Sequence, residues 1–297
     1  MLAVSVSMLA LAPSVQAAEQ DFSNVDVVAH ELAPGLFYLT GQGGNIGVSI
    51  GPDGVFLIDD QFAPLTEKII AAVQDLSDQP IRFIFNTHHH GDHTGGNANF
   101  GEAGAVIVAH DNVRTNLVKG FTGADLNRAL SAEERVGLPV VTFANTVDFH
   151  LNGHDIHAFH VAPAHTDGDS FVVFENLNII HTGDVFRTVG YPRADLSANG
   201  SILGIMSAYE QLLEISDDDT VLLPGHGVPS RRSDVQAQLT MLETIRARIQ
   251  AGISAGNDLE QIKAGKPTAE YDEQFSAGVA TAGDDFVTAF FNELSQN

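Results

Sequence analysis

Thr87-His88-His89-His90-Gly91-Asp92-His93-Thr94-Gly95-Gly96 is the stretch on which the reading of this chain turns. It follows the apolar run from Ile81 to Phe85, which reads as a strand, so the histidines leave that strand on a loop. The pattern His-x-His-x-Asp-His sets three imidazoles and one carboxylate within residues 88–93. Zinc and related ions take neutral imidazole nitrogen and carboxylate oxygen. On an extended turn His88 and His90 project to the same side and can share one ion. Asp92 and His93, past the bend, can face a second. Gly91, Gly95 and Gly96 permit the tight backbone this needs.

Three more ligand-type side chains follow apolar runs in the same way. His165 comes after His160-Val161-Ala162, Asp184 after Ile179-Ile180-His181, and His226 after Val221-Leu222-Leu223. Each sits on a loop just past a strand, where a rigid sheet can aim it.

The rest of the chain supplies the frame. Leu36–Leu39, Ile46–Ile50 and Val55–Ile58 are short apolar runs within a β-rich region, residues 25–60. Gly51-Pro52-Asp53-Gly54 joins the last two as a hairpin. Ile69, Ile70, Val73 and Leu76 recur at helical spacing behind Thr66, which is expected to cap that helix. A strand from Ala105 to Ala109 and a polar helix from Asp111 to about Val118 come next, then Gly-rich irregular chain. Asn152-Gly153 signals a hairpin between Val147–Leu151 and Ile156–Val161. Further strands are expected at Phe171–Phe174, Ile179–His181 and Val221–Leu223. Further helices are expected at Ile202–Leu213, Val235–Ile249 and Phe286–Leu294. Two blocks of strands, each ending in helices, predict an αββα sandwich of two mixed sheets flanked by helices.

Composition narrows the function. The 297 residues, 44% hydrophobic, suffice for one large α/β domain, expected over residues 18–297. A net charge of −24 repels phosphate backbones, so nucleic acid is excluded as a partner and an anionic membrane surface is disfavoured. The sequence has no cysteine, so metal ligands must be His, Asp or Glu and no thiol nucleophile exists. Residues 1–17 read as a signal peptide: a short uncharged apolar run, Pro13, then Val15-Gln16-Ala17 as a small-x-small cleavage site. The mature chain is then expected to act in the periplasm or as a secreted protein, with no membrane attachment once the leader is removed.

The four ligand motifs, in this order and spacing, resemble the metallo-β-lactamase superfamily over roughly Leu36 to Gly227. That resemblance implies an αββα sandwich with two zinc ions at one edge. It implies His88, His90 and His165 on the first ion, Asp92, His93 and His226 on the second, and Asp184 bridging them. It also implies Asp59 as the carboxylate that orients the histidine loop. His89, between two expected ligands, reads as a residue behind the ligands or facing solvent, and the other unmatched histidines read as surface or packing residues, with His181 the nearest to Asp184.

Two ions so held lower the pKa of a water between them to near neutrality, and the hydroxide formed attacks a carbonyl. Asp92 is the expected proton acceptor. The β-lactam amide is the first substrate expected, on the leader and on likeness to secreted class B enzymes. Aspartate at position 184, where those enzymes resemble this chain but carry cysteine or serine, points instead to a lactone or thioester. A non-enzymatic periplasmic metal-binding protein is the remaining alternative. Arg187, Tyr191 and Arg193 follow Asp184 and are the expected contacts to a small-molecule substrate. The sequence leaves the oligomeric state open.

Overall fold

Val55-Phe56-Leu57-Ile58 shows why two layers form. Successive side chains of a strand point to opposite faces. Phe56 and Ile58 enter the core between two sheets, where they meet Phe149, Val172 and Phe174 of the second sheet. Val55 and Leu57 turn the other way, onto Ile69 and Val73 of the helix Thr66–Gln74. Each of these residues is buried.

The computed structural model describes residues 20–123, 125 and 127–296. The leader expected over residues 1–17 lies outside the described residues. The first sheet contains β1 (Val28–Ala33), β2 (Leu36–Thr40), β3 (Ile46–Ser49), β4 (Val55–Ile58), β5 (Ile81–Asn86), β6 (Val106–His110) and β7 (Val141–Phe143), in sequence order. Pairing is antiparallel from β1 to β4 and parallel from β4 to β7. The second sheet contains β8 (Thr146–Leu151), β9 (His154–His160), β10 (Ser170–Phe174), β11 (Ile179–Gly183) and β12 (Val221–Pro224), ordered β12-β11-β10-β9-β8. Only its β11–β12 pair is parallel.

The outer face of the second sheet is covered by the helices Ile202–Ile215, Arg232–Ser254 and Ala282–Leu294. Their buried faces, including Tyr209, Leu242 and Phe290, pack with Phe171 and Ile180 of the sheet. The αββα sandwich read from the sequence is the observed fold. No helix of the described residues is long and apolar enough to cross a membrane.

Hairpin chemistry behaves as read. Asn152 and Gly153 both have positive φ, 57° and 77°, as a two-residue β-turn of this twist requires. Asn152 also links the sheets, because its side-chain amide donates to Ser49 Oγ and to the Gly54 carbonyl. Thr66 does not cap its helix. It is the first helical residue, and its hydroxyl donates backwards to the Ala63 carbonyl in a preceding 3-10 turn. A helix at Ala132–Val136 interrupts the chain expected to be irregular; it is closed by a reciprocal Ser131–Glu134 capping box.

Besides its apolar face, the last helix caps a neighbouring helix through one side chain. Glu293 accepts from Ser201 Oγ and from the amides of Ile202 and Leu203 at the start of the Ile202–Ile215 helix. Glu293→Ala is expected to cost about 1–2 kcal/mol, the usual loss of a helix cap. Urea denaturation measures it, and an unchanged midpoint would remove this capping role.

Candidate metal centre

β5 ends at Asn86, and the chain bends at Thr87 and His88 before the single turn Gly91–Thr94. One buried carboxylate fixes that path. Asp59 Oδ1 accepts from the Thr87 amide at 2.7 Å, and its Oδ2 accepts from Thr87 Oγ1 at 2.8 Å and lies 2.7 Å from His93 Nδ1. Asp59 itself sits just past β4 with φ of 65°. A non-glycine residue there is strained, and such strain collects at functional sites. Asp59→Ala would leave the Thr87 amide and His93 Nδ1 unpaired in a dry interior. A loss of about 3–5 kcal/mol is expected, read by denaturation of the metal-free chain; a loss below about 1 kcal/mol would contradict it.

The donor atoms converge in two groups. In the first, ligand atoms of His88, His90 and His165 lie within 4.8 Å of one another; in the second, those of Asp92, His93 and His226 do. His90 Nδ1 and His165 Nε2 are 2.9 Å apart, and His93 Nε2 and His226 Nε2 are 3.3 Å apart. Ligands about 2.0–2.1 Å from a tetrahedral ion stand roughly 3.3 Å from each other, so the spacing suits one ion per group. Asp184 lies between the groups. Its Oδ1 is 3.2 Å from His93 Nε2, and its Oδ2 is 3.3 Å from His226 Nε2 and 3.7 Å from His165 Nε2.

The outward ring nitrogens are spoken for, which leaves the inward ones for a metal. His88 Nδ1 meets Thr87 Oγ1, His165 Nδ1 meets the Arg193 carbonyl, His93 Nδ1 meets Asp59 and His90 Nε2 meets Asp195. His88 Nε2 is buried with no hydrogen-bond partner. An orphaned buried nitrogen is costly, and a cation at the centre of the first group removes the cost. The donor set therefore fits two divalent ions of the zinc type.

Electrostatics differ between the groups. Burial pushes His88 well below the usual histidine value and His165 down to about 4. Burial also opposes charge on His93, but the carboxylates of Asp184 and Asp59 outweigh it and lift that ring well above the usual value. His226 is raised as well: burial is overcome by hydrogen bonds to Asp184 and Asp92. Asp92 is drawn down to about 2, because His226 and His93 overcome its partial burial.

Backbone spacing allows no side chain at two glycines. A Cβ on Gly44 would strike the His93 ring, and one on Gly225 would strike Asp184. The Gly41–Asn45 loop is pinned at this end. Gly44 N donates to the Asp92 carbonyl at 3.1 Å, and Asn45 Nδ2 donates to the Pro224 and Gly227 carbonyls at 2.8 and 2.9 Å. His181 supports the same corner: its Nδ1 accepts from the Gly183 amide and its Nε2 meets the Asn45 carbonyl.

A family model described as the metallo-beta-lactamase superfamily matches residues 39–226. The chain belongs to the metallo-β-lactamase superfamily. Among solved structures, it is similar to the metallo-beta-lactamase from Pontibacter korlensis, with a TM-score of 0.60 and 19% identity over 73% of this chain and 99% of that one. It is similar also to the DIM-1 metallo-beta-lactamase, with a TM-score of 0.61 and 16% identity over 74% of this chain and 99% of that one. At these identities the structural likeness speaks for the superfamily's fold. Members of the superfamily are mostly hydrolases, and the His/Asp groups here can hold metal.

The structure gathers His88, His90, Asp92, His93, His165, Asp184, His226 and Asp59 in one place. Of the expected substrate contacts, Tyr191 packs in the interior, while Arg187 and Arg193 lie on the loop that follows Asp184. Tyr191 is a packing residue: 8% exposed, stacked on Phe286 at 4.9 Å, with its hydroxyl donating to Asp272. Arg187 is half-buried and its Nε donates to the Val189 carbonyl of its own loop. Arg193 presents an exposed side chain, and its carbonyl meets His165 Nδ1.

Asp195 is the residue the sequence reading missed. Its Oδ2 lies 2.9 Å from His90 Nε2, and its amide donates to the His165 carbonyl at 2.7 Å. Arg193–Asp195 thus orients two ligands of the first group. Asp195→Ala is expected to weaken metal binding in that group about 10–100-fold. Competition against a chelating indicator checks this, and unchanged affinity would remove the orienting role.

Proposed function

We propose that this chain is a two-metal hydrolase acting on the carbonyl of a small molecule. The observation that carries the reading is the pair of three-residue donor groups joined by Asp184. Two divalent ions, zinc by donor chemistry, would supply Lewis-acid activation of both a water and the substrate carbonyl.

The residues divide the remaining work. Asp92, held ionised by its neighbours, can accept a proton from an attacking water and orient it. His88, His90 and His165 are aimed by fixed partners, Thr87, Asp195 and the Arg193 carbonyl, so the site is preorganised. Asp184 and Asp92 bring negative charge that offsets two cations. Exported action is part of this reading and rests on the leader-like segment 1–17.

Two substrate classes compete. A lactone or thioester is favoured by Asp184, a carboxylate standing between the two donor groups, and by Tyr191, whose hydroxyl donates to Asp272 and is not free for a substrate carboxylate. A β-lactam amide is supported by likeness to two proteins named metallo-beta-lactamases. The zinc-loaded chain should be assayed against a penicillin, a lactone and a thioester, each with and without chelator. Chelator-sensitive opening of the lactone or thioester in preference to penicillin is the expected result. Preferential penicillin opening would reverse the order, and no turnover from a chain holding two metals would leave a metal-binding protein.

A further inference from the structure

A further gathering of donor atoms lies beside the first group. Ligand atoms of His89, His90 and Asp195 fall within 4.8 Å of one another, and all three residues are half-buried. His90 belongs to the first group through Nδ1, which faces His165 Nε2 at 2.9 Å. Its Nε2, across the ring, faces Asp195 Oδ2 at 2.9 Å. Two atoms at that separation are already spaced as two ligands of one small cation.

The neighbours of this pair suit a cation. The His89 ring centroid is 4.7 Å from that of His90, and His89 Nδ1 is buried with no hydrogen-bond partner among the described residues. A buried ring nitrogen without a partner is costly, and a cation held at that ring lowers the cost. The Asp195 carboxylate is fixed in place. Its Oδ1 accepts from the Ser197 amide at 2.9 Å and from Ser197 Oγ at 2.6 Å, which leaves Oδ2 toward the histidines. Asp167 adds negative charge near His89. Its own oxygens are engaged, Oδ1 by Asn116 and Oδ2 by Asn199, so it contributes field rather than a ligand.

We propose that His89, His90 and Asp195 form an accessory site for a third divalent ion of the zinc type, filled after the first two. His90 then bridges, with Nδ1 to the first ion and Nε2 to the third. The proton that Nε2 shares with Asp195 passes to solvent as the ion takes its place. Binding is weaker here because that hydrogen bond is given up and because the exposed Lys119 ammonium acts on His89 from the Asp111–Thr122 helix. The inference goes beyond the hydrolase reading and requires no turnover.

Equilibrium dialysis against rising free zinc, with bound metal counted by mass spectrometry, tests the site. Two equivalents are expected to fill first and a third at higher zinc. His89→Ala should lose the third and keep the first two, with an unchanged circular dichroism spectrum. Lys119→Gln should shift the third equivalent to lower free zinc by removing a like charge. The exposed His150–Asp155 and His157–Asp148 pairs of β8 and β9 are the places where stray zinc would gather. His150→Gln combined with His157→Gln should therefore leave all three equivalents in place. Saturation at two equivalents, a third that survives His89→Ala, or a third lost with the β8–β9 histidines overturns the site. Loss of one of the first two equivalents in His89→Ala would make His89 a prop of the first group and overturn it equally. If three ions bind as expected while no ester, thioester or amide is hydrolysed, the accessory site stands and the hydrolase reading falls.

Discussion

Asp92→Ala is expected to slow carbonyl hydrolysis about 10²–10⁴-fold, the range for loss of a general base. Its Oδ2 lies 3.0 Å from His226 Nε2 and 3.8 Å from His93 Nε2, so the variant removes both a proton acceptor and one donor of the second group. The side chain sits at the site surface rather than in the core, so the fold should survive. His90→Ala should be as severe for a different reason. It deletes one of three donors in the first group and leaves Asp195 without its ring partner. Steady-state rates, measured with zinc content and circular dichroism on the same samples, check both. Undiminished turnover in a folded variant would sink the site assignment.

The second large effect is on metal loading as pH changes. His93 and His226 have raised values, so each tends to carry a proton in the metal-free chain. A metal ligand must be deprotonated. Uptake in the second group therefore displaces one or two protons, and it weakens as pH falls below those raised values. His88 and His165, held low by burial, have no proton to give up near neutrality. One displaced proton is worth about tenfold per pH unit. Between pH 8 and pH 6 the second equivalent of zinc should weaken by about 10²-fold for each proton displaced, and more steeply than the first. Calorimetry in buffers of different ionisation enthalpy counts the protons released. Equal weakening of both equivalents would contradict the division.

Much of this molecule was legible before its structure. Two successive blocks of apolar runs, each ending in helices, pointed to two packed layers, and the loops just past those runs held every residue of both donor groups. Direction was less legible than type. Tyr191 lies seven residues after Asp184, close enough in sequence to suggest a substrate contact. Its ring turns inward because Phe286 and Asp272 of the C-terminal segment are there to receive it. Asp195 escaped for the opposite reason. Its partner His90 is 105 positions away, and no local pattern marks a carboxylate that meets a ring across two loops. Thr66 was misjudged because a 3-10 turn precedes the helix and claims its hydroxyl first.

Each donor group is divided between the two sheets. His88, His90, Asp92 and His93 hang from the end of β5, while His165, Asp184 and His226 follow strands β9, β11 and β12. Neither half holds a complete set. Bound ions would therefore rivet one half of the molecule to the other, and parting the halves would mean breaking coordinate bonds before any apolar surface is exposed. A chain stretched from its two ends should yield at much higher force when loaded with zinc than when stripped of it.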